Sequence, residues 1–274
     1  MEARIAWLGH ATVLMELDGV RLLTDPVLHR RVGPLVRIAA GVPSHQHERI
    51  DAVLLSHLHG DHVDLPSLRR LGRDVRVVAP AGAGAWLRAR GMRCVEELAV
   101  SESTAVGPLQ VVAVPAQHDG QRLPHGPSAA AIGFVVRGTH SVYFAGDTDL
   151  LDDMERFAGG VDVALLPVAG WGPTLGPGHL DPARAAQAAA RIHPRVAIPI
   201  HWGTLAVPLP PLINRARSDE PAQRFAALVA DAAPQVEVRV LAPGEAIDIA
   251  RPAPALRSPA SERPARSPGP SSAS

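Results

Sequence analysis

Short apolar runs alternate with turn residues through the first 250 positions, and this pattern predicts many short strands. Valine, isoleucine and leucine dominate these runs, and Gly, Pro and Asp bound them. Asp18-Gly19, between the second and third runs, is a strong hairpin signal. The predicted strands cover residues 4–8, 12–17, 21–24, 52–56, 75–79, 109–114, 131–136, 141–144, 162–167, 195–200, 236–241 and 246–249.

Helices are predicted in five segments: residues 65–71, 83–90, 150–158, 182–192 and 221–231. The fourth has the clearest boundary signals, because Asp181 suits the N-cap and Pro182 suits the first helical position. Strands mixed with helices over this length predict a layered α/β sandwich in a single domain, residues 1–250.

Segments rich in proline, glycine or other small residues separate these elements. The stretches 32–43, 120–128 and 169–178 predict long loops, which in compact domains are commonly functional. The segment 251–274 is rich in Pro, Ser, Ala and Arg, and Leu256 is its only large apolar residue. Such a segment buries too little surface to offset its ordering entropy, so we expect a disordered tail.

Charge and cysteine content narrow the classes of function. Basic and acidic side chains balance at 27 each, which argues against a general nucleic-acid partner. No apolar run reaches the ~18–20 residues that span a bilayer, and the N-terminus does not resemble a secretion signal. Cys94 is the only cysteine, so we expect a cytoplasmic protein with no internal disulfide and with this thiol buried. Oligomeric state and peripheral membrane contact stay open.

Four potential metal ligands lie within residues 56–62, SHLHGDH, directly after a predicted strand. In an extended segment, side chains two residues apart point the same way, so His57 and His59 can converge on one ion. The following glycine lets the chain turn, and Asp61 and His62 can then face a second ion. Imidazole and carboxylate ligands suit zinc, with manganese or iron as alternatives.

Three more candidate ligands, His118, Asp147 and His201, each come just after an apolar predicted strand. Side chains at strand ends are where α/β folds commonly place their chemistry. If these strands lie side by side, their ends bring all the candidates to one rim. This pattern predicts one shared site.

The ligand pattern resembles that of the metallo-β-lactamase superfamily of dinuclear metallohydrolases, in which an H-x-H-x-D-H run precedes a distant His, a Gly-Asp pair and a late His. The sequence motifs around these ligands are similar to those of the branch containing N-acyl-phosphatidylethanolamine-hydrolysing phospholipase D and the phosphorylated-ascorbate lactonases. The matching motifs are WLGHAT at 7–12, LTDP at 23–26, PAQH at 115–118, AGDTD at 145–149 and HWGT at 201–204.

The resemblance implies a four-layer αββα sandwich, in which two sheets face each other between outer helices. It also implies two divalent metal ions, zinc before manganese or iron. By the resemblance, one ion is held by His57, His59 and His118, the other by Asp61, His62 and His201, and Asp147 bridges them.

Five other side chains are candidates for supporting roles. We expect Asp25 to hydrogen-bond a ligand histidine, although Asp before Pro also starts turns. His10 can line the site or cap a hairpin. His179 matches a position near the reacting group in the phospholipase branch and can stabilise the transition state or protonate the leaving group, or only cap a helix. Trp171 and Trp202 can form an apolar substrate wall or pack in the core.

These residues together predict a hydrolase. Two ions can lower the pKa of a shared water toward ~7 and deliver hydroxide to a phosphodiester, ester or lactone. We expect Asp61 and His179 to act in catalysis, and we expect a phospholipase D-like phosphodiesterase acting on a small or lipid-like substrate. A lactonase, a non-catalytic metal-binding or regulatory protein and a nuclease are the alternatives. The remaining histidines are expected on the surface or in loops: His29, His45, His47, His125, His140 and His193.

Overall fold

The computed structural model describes residues 3–122, 126–172, 174–208 and 219–250. The predicted tail, 251–274, and His125 lie outside the described residues. Within the described part, no helix combines the length and the apolar character that a membrane crossing requires.

Strands make up most of the regular structure. They are β1 (Ala3–Gly9), β2 (Thr12–Leu17), β3 (Val20–Thr24), β4 (Arg31–Val32), β5 (Leu35–Arg37), β6 (Ala52–Leu54), β7 (Arg76–Pro80), β8 (Val95–Leu98), β9 (Ser103–Val106), β10 (Leu109–Pro115), β11 (Ile132–Arg137), β12 (Ser141–Phe144), β13 (Val163–Pro167), β14 (Val196–Ile200), β15 (Leu205–Ala206), β16 (Glu237–Val238) and β17 (Ala246–Ile249). The α-helices are α1 (Leu65–Leu71), α2 (Gly84–Ala89), α3 (Met154–Ala158), α4 (Pro182–Ile192) and α5 (Glu220–Ala232).

Two seven-stranded sheets face each other across the main core. The first has the order β17-β1-β2-β3-β6-β7-β8, and the second has the order β16-β14-β13-β12-β11-β10-β9. Helices α1 and α2 cover the outside of the first sheet, while α4 and α5 pack against the second. The four-layer αββα sandwich is therefore confirmed.

Strand β6 shows why a strand inside the sandwich has an unbroken apolar sequence. Val53 and Leu55 pack under α1 and α2, whereas Ala52 and Leu54 point into the core between the sheets. Both faces of the strand are covered, so neither face carries polar side chains.

Helix α4 has the predicted bounds because its start is determined locally. The Asp181 side chain accepts hydrogen bonds from the backbone N–H groups of Ala183 (2.9 Å) and Arg184 (2.8 Å). This N-cap binds free backbone N–H groups at the start of the helix, and Pro182 has no N–H group that needs a partner. The helix start therefore requires no tertiary contact.

Several predicted boundaries were wrong where pairing depends on distant residues. The predicted loop 32–43 contains β5, which pairs with β4 and with the remote strand β15 in a small third sheet. Strands β8 and β9 were missed because both lie at sheet edges, where polar residues break the apolar pattern.

Other corrections concern helix α3, strand β16 and Cys94. Helix α3 begins at Met154 rather than at residue 150, and β16 is limited to two residues of the predicted 236–241. Cys94 is exposed rather than buried, because it lies in the turn that precedes the edge strand β8.

Candidate metal centre

Six strands from the two large sheets deliver the candidate ligands to one rim of the sandwich. In the first sheet, His10, Asp25 and the run 56–62 follow β1, β3 and β6. In the second sheet, His118, Asp147 and His201 follow β10, β12 and β14. Each set of three strands runs in one direction, so the carboxyl ends meet at the same edge.

Gly146 lets the two sheets approach each other at this rim. Its φ is +61°, and a Cβ at this position would come within 2.5 Å of the Ser56 Cβ. Only glycine combines this backbone conformation with so close a contact. The Gly-Asp pair noted in the sequence thereby places Asp147 beside the run that carries His57.

One group of potential ligand atoms comes from His57, His59 and His118, whose ring nitrogens lie within 4.8 Å of one another. The His118 Nε2 lies 3.0 Å from the His59 Nδ1. The His57 Nε2 is buried and has no hydrogen-bond partner among the described residues. These three histidines are the set that the resemblance assigned to one ion.

A second group contains His10, Asp61, His62 and His201, again within 4.8 Å. The Nε2 atoms of His62 and His201 lie 3.1 Å apart, and the His10 Nε2 lies 3.0 Å from Asp61 Oδ2. The structure thus brings together the three residues expected around the other ion and adds His10 to them.

Asp147 lies between the two groups. Its Oδ2 is 3.2 Å from the His62 Nε2, and its Oδ1 is 3.3 Å from the His201 Nε2. It also groups with His118 and His179. Asp147 Oδ1 is buried without a hydrogen-bond partner among the described residues.

Hydrogen bonds at Nδ1 determine which nitrogen of each ring faces the centre as an acceptor. An oxygen that accepts at Nδ1 places the proton there, so the Nε2 of the neutral ring keeps its lone pair. When both rings are neutral, the Nε2 lone pairs of His62 and His201 face each other, an arrangement that suits a cation between them. The Nδ1 acceptors are Asp25 for His62 (2.7 Å), the Gly178 carbonyl for His118 (2.8 Å) and the Ala169 carbonyl for His201 (2.7 Å).

Electrostatics of the cluster also favour metal binding. Burial lowers the pKa of His57 well below its usual value and lowers that of His118 to about 4, so both rings are neutral at pH 7, the form that binds metal. Burial opposes ionisation of Asp61 and Asp147, yet the surrounding histidines hold the pKa of each carboxyl well below its usual range. The two buried carboxylates raise the pKa of His62 despite its burial, which means that the cluster attracts positive charge.

Three residues of this rim have an unfavourable backbone conformation. His10, Asp25 and His201 adopt positive φ values of 54°, 32° and 66°. Non-glycine residues rarely adopt this region, and such strain persists only where the surroundings over-determine it. We infer that contacts within the cluster hold these three residues in this backbone conformation.

A cavity of about 960 Å³ opens in front of the ligand cluster. His179 lines it, with Nε2 3.4 Å from Asp147 Oδ2 and Nδ1 3.1 Å from the Gly176 carbonyl. Trp171 also lines it and is 39% exposed. Trp202 does not line this cavity, because its ring packs in the core against Trp7 with centroids 4.8 Å apart.

Comparisons with known proteins agree with this arrangement. A family profile described as "Beta-lactamase superfamily domain" matches residues 20–202. A UPF0173 metal-dependent hydrolase of Methanopyrus kandleri is 35% identical over 260 residues, which cover 89% of this chain and 99% of the relative. The chain belongs to the metallo-β-lactamase superfamily. Because the Methanopyrus kandleri hydrolase is matched over nearly its whole length, this chain belongs among the metal-dependent hydrolases of the superfamily.

Two other superfamily proteins are informative. N-acyl-phosphatidylethanolamine-hydrolyzing phospholipase D 1 of Caenorhabditis elegans is 30% identical over 224 residues, which cover 72% of this chain but 63% of that protein. Igni18, a metallo hydrolase of Ignicoccus hospitalis, has a TM-score of 0.69 at 24% identity and covers 90% of this chain and 98% of its own. At this low identity, the similarity to Igni18 shows a shared fold.

The other histidines lie outside both ligand groups. His29 lies in a loop and is partly buried, as expected. His45 and His193 are exposed, also as expected. His47 and His140 also lie in loops, as expected, but both are buried. Their burial depends on elements that pack over them, which the local sequence does not reveal.

Ser56 and Arg122 belong to this region and were not singled out from the sequence. The Ser56 hydroxyl donates to Asp25 Oδ2 at 2.5 Å and lies 3.0 Å from the His57 Nδ1. Arg122 lines the cavity from the loop predicted at 120–128. Adjacency to His57 was the available signal for Ser56, whereas no local pattern marks Arg122.

Replacing Asp25 by asparagine is expected to weaken metal binding by about 10- to 100-fold. Asp25 is fully buried, accepts from the His62 Nδ1 and from both the backbone N–H and the hydroxyl of Ser56, and so orients a ligand ring. Asparagine keeps the size and tolerates positive φ, but its NH2 group cannot accept. Titration with a competing chelator measures the affinity.

Asp162→Asn is the matched control, because Asp162 also accepts from the backbone N–H and hydroxyl of one serine, Ser141. It lies away from both ligand groups. Equal metal affinities for the Asp25 and Asp162 variants would contradict the orienting role of Asp25.

Proposed function

We propose that this protein is a dinuclear metal-dependent phosphodiesterase, similar in chemistry to a phospholipase D. The observation that carries the proposal is the convergence of histidine ring nitrogens and two carboxylates at the base of a large cavity. His57 Nε2 and Asp147 Oδ1 are buried and have no hydrogen-bond partner in the described ranges, which fits metal ligands better than a closed hydrogen-bond network.

The chain's residues would divide their roles as follows. One ion, zinc in preference to manganese or iron, would be held by His57, His59 and His118, and a second by Asp61, His62 and His201, with Asp147 shared between them. Such ions supply Lewis acidity and lower the pKa of a coordinated water toward about 7.

The remaining chemistry belongs to side chains around the cavity. His179 faces the cavity beside Asp147, and its Nδ1 donates to backbone carbonyls of the loop before α4. Its Nε2–H is then the proton that can pass to the oxygen of the leaving group. Trp171 and Leu175 lie on the exposed apolar wall, where they can exclude water from a substrate chain.

Phosphodiester cleavage is favoured over lactone hydrolysis by the 30% identity with a phospholipase D. The apolar wall suits a substrate with a hydrocarbon part, either a small molecule or a lipid. Lactone hydrolysis is the second candidate, because the same framing motifs resemble the lactonase branch.

A substrate panel tests the proposal. Purified protein is assayed with bis(p-nitrophenyl) phosphate, an acyl lactone and a short RNA, each with and without chelator, while the bound metal is quantified. We expect the phosphodiester to be hydrolysed fastest, chelation to abolish turnover and added zinc to restore it.

Each other outcome has a defined meaning. Faster lactone hydrolysis would replace the phosphodiesterase with a lactonase, and faster RNA cleavage would indicate a nuclease. Bound metal without turnover of any substrate would indicate a metal-binding or regulatory protein. Turnover that survives complete metal removal would refute the metal-dependent mechanism.

A further inference from the structure

The cavity wall beyond the ligand cluster carries two cationic side chains. Among the described residues that line the cavity, the carboxylates are Asp61, Asp64 and Asp147. Asp61 and Asp147 belong to the ligand groups, and Asp64 caps α1 by accepting from the Ser67 backbone N–H at 3.1 Å. The cationic side chains Arg31 and Arg122 line the same cavity and form no ion pair with any of them.

Arg122 is held in place rather than free in solvent. It is half-buried, and its Nη1 donates to the carbonyls of Leu58 (3.0 Å) and Val63 (2.9 Å). Its guanidinium also lies over the Trp86 ring, 4.7 Å from the centroid. These contacts fix the orientation of the guanidinium plane in the wall.

The rest of this guanidinium has no partner in the described part of the chain. Nε and Nη2 donate no hydrogen bond there, and no carboxylate of the described residues makes a direct ion pair with the side chain. Asp64 and Asp61 act on its charge only from a longer distance. Burial lowers the pKa of Arg122, but the group stays cationic at neutral pH. A partly desolvated cation with free donors in a cavity wall is a site for an anionic oxygen group.

We propose that Arg122 binds a second negatively charged group of the substrate, a carboxylate or a phosphate, that is separate from the group being hydrolysed. The substrate class is therefore a molecule with the scissile bond at one end, an anionic group at the other and an apolar part between them. This inference rests on the proposed function only in placing substrate within this cavity.

A purely structural role for Arg122 makes a different prediction. The carbonyls that it binds belong to Leu58 and Val63, which flank His59, Asp61 and His62. If Arg122 only held this loop, its loss would slow every substrate equally, through kcat. If it binds an anionic group, its loss acts through KM and only on substrates that carry that group.

The test uses three p-nitrophenyl phosphodiesters whose second substituent is propyl, carboxypropyl or phosphonopropyl. In the wild-type holoenzyme we expect kcat/KM to be about 10- to 100-fold higher for at least one anionic substrate than for the propyl compound. The carboxylate and phosphonate arms identify which anion is preferred. Phosphonate analogues without a leaving group give the same comparison as dissociation constants, independently of turnover.

Arg122→Met is expected to remove this preference, mainly by raising KM, and Arg122→Lys to retain part of it. Arg90→Met is the matched control, because Arg90 lies over the same Trp86 ring, 4.0 Å from the centroid, but does not line the cavity. This control is expected to keep both the preference and the basal rate.

Two results would overturn the inference. One is a wild-type enzyme that treats the propyl and anionic substrates alike, a measurement that needs no variant to fold. The other is an Arg122→Met enzyme that loses the same factor on all three substrates. If no phosphodiester is turned over, the proposed function fails, and the dissociation constants together with matching p-nitrophenyl esters still test Arg122.

Discussion

Asp147→Asn is expected to lower the rate of hydrolysis by at least about 10³-fold. Losses of this size follow when a main source of charge stabilisation is removed from the reacting centre. Asp147 presents its Oδ2 to His62 and His179 and its Oδ1 to His201. Asparagine keeps the shape but replaces one oxygen with an NH2 donor, so it cannot offer both atoms as ligands. The bound metal, measured by elemental analysis, is expected to fall together with activity.

Asp149→Asn is the control for this substitution. Asp149 lies two residues further along the same loop, pairs with Arg184 and accepts from the Leu150 backbone N–H, outside both ligand groups. Its variant is expected to keep the metal content and rate of the wild type. Wild-type activity and metal content in Asp147→Asn would remove Asp147 from the centre.

His179→Gln is expected to lower kcat by about 10²- to 10⁴-fold, the range typical of a lost general acid. The hydrogen bond with Asp147 raises the pKa of His179, although burial opposes this shift. A raised pKa keeps the ring protonated to higher pH, so an acid role predicts a rate that falls as pH rises through that pKa. Glutamine cannot titrate, and we expect this alkaline decline in kcat to be lost.

The measurement is the pH profile of kcat for the wild type and the variant across neutral and alkaline conditions. His45→Gln serves as the control, because His45 is exposed and does not line the cavity. An alkaline decline that persists unchanged in His179→Gln would assign the titration to another group and contradict the acid role.

Local signals predicted the parts of the fold that local interactions stabilise. Helix α4 has its predicted bounds because Asp181 and Pro182 act within one turn of the chain. Strands β5 and β15 were missed because each is short and is defined by pairing with the other across the sequence. A pattern confined to one window cannot contain such a partner.

The same limit applies to individual side chains around the site. Trp202 follows His201 in the sequence, yet its ring turns into the core and packs on Trp7. The sequence around His10 only slightly favours a place in the site over a hairpin cap, and the structure places it against Asp61. Which way a side chain at a strand end points depends on backbone angles, here positive φ at His10 and His201, that the sequence does not show.

The sequence by itself determined the superfamily and the ligand types, because H-x-H-x-D-H after a buried strand is specific and each further candidate follows a strand of its own. Only the tertiary structure decided that these strand ends share one rim, that His10 lies against Asp61 and that Arg122 lines the cavity with donors that bind no described residue. The physical reason is that a ligand type is a property of one residue. Convergence and charge balance are properties of side chains that only the packing of two sheets brings within a few ångströms.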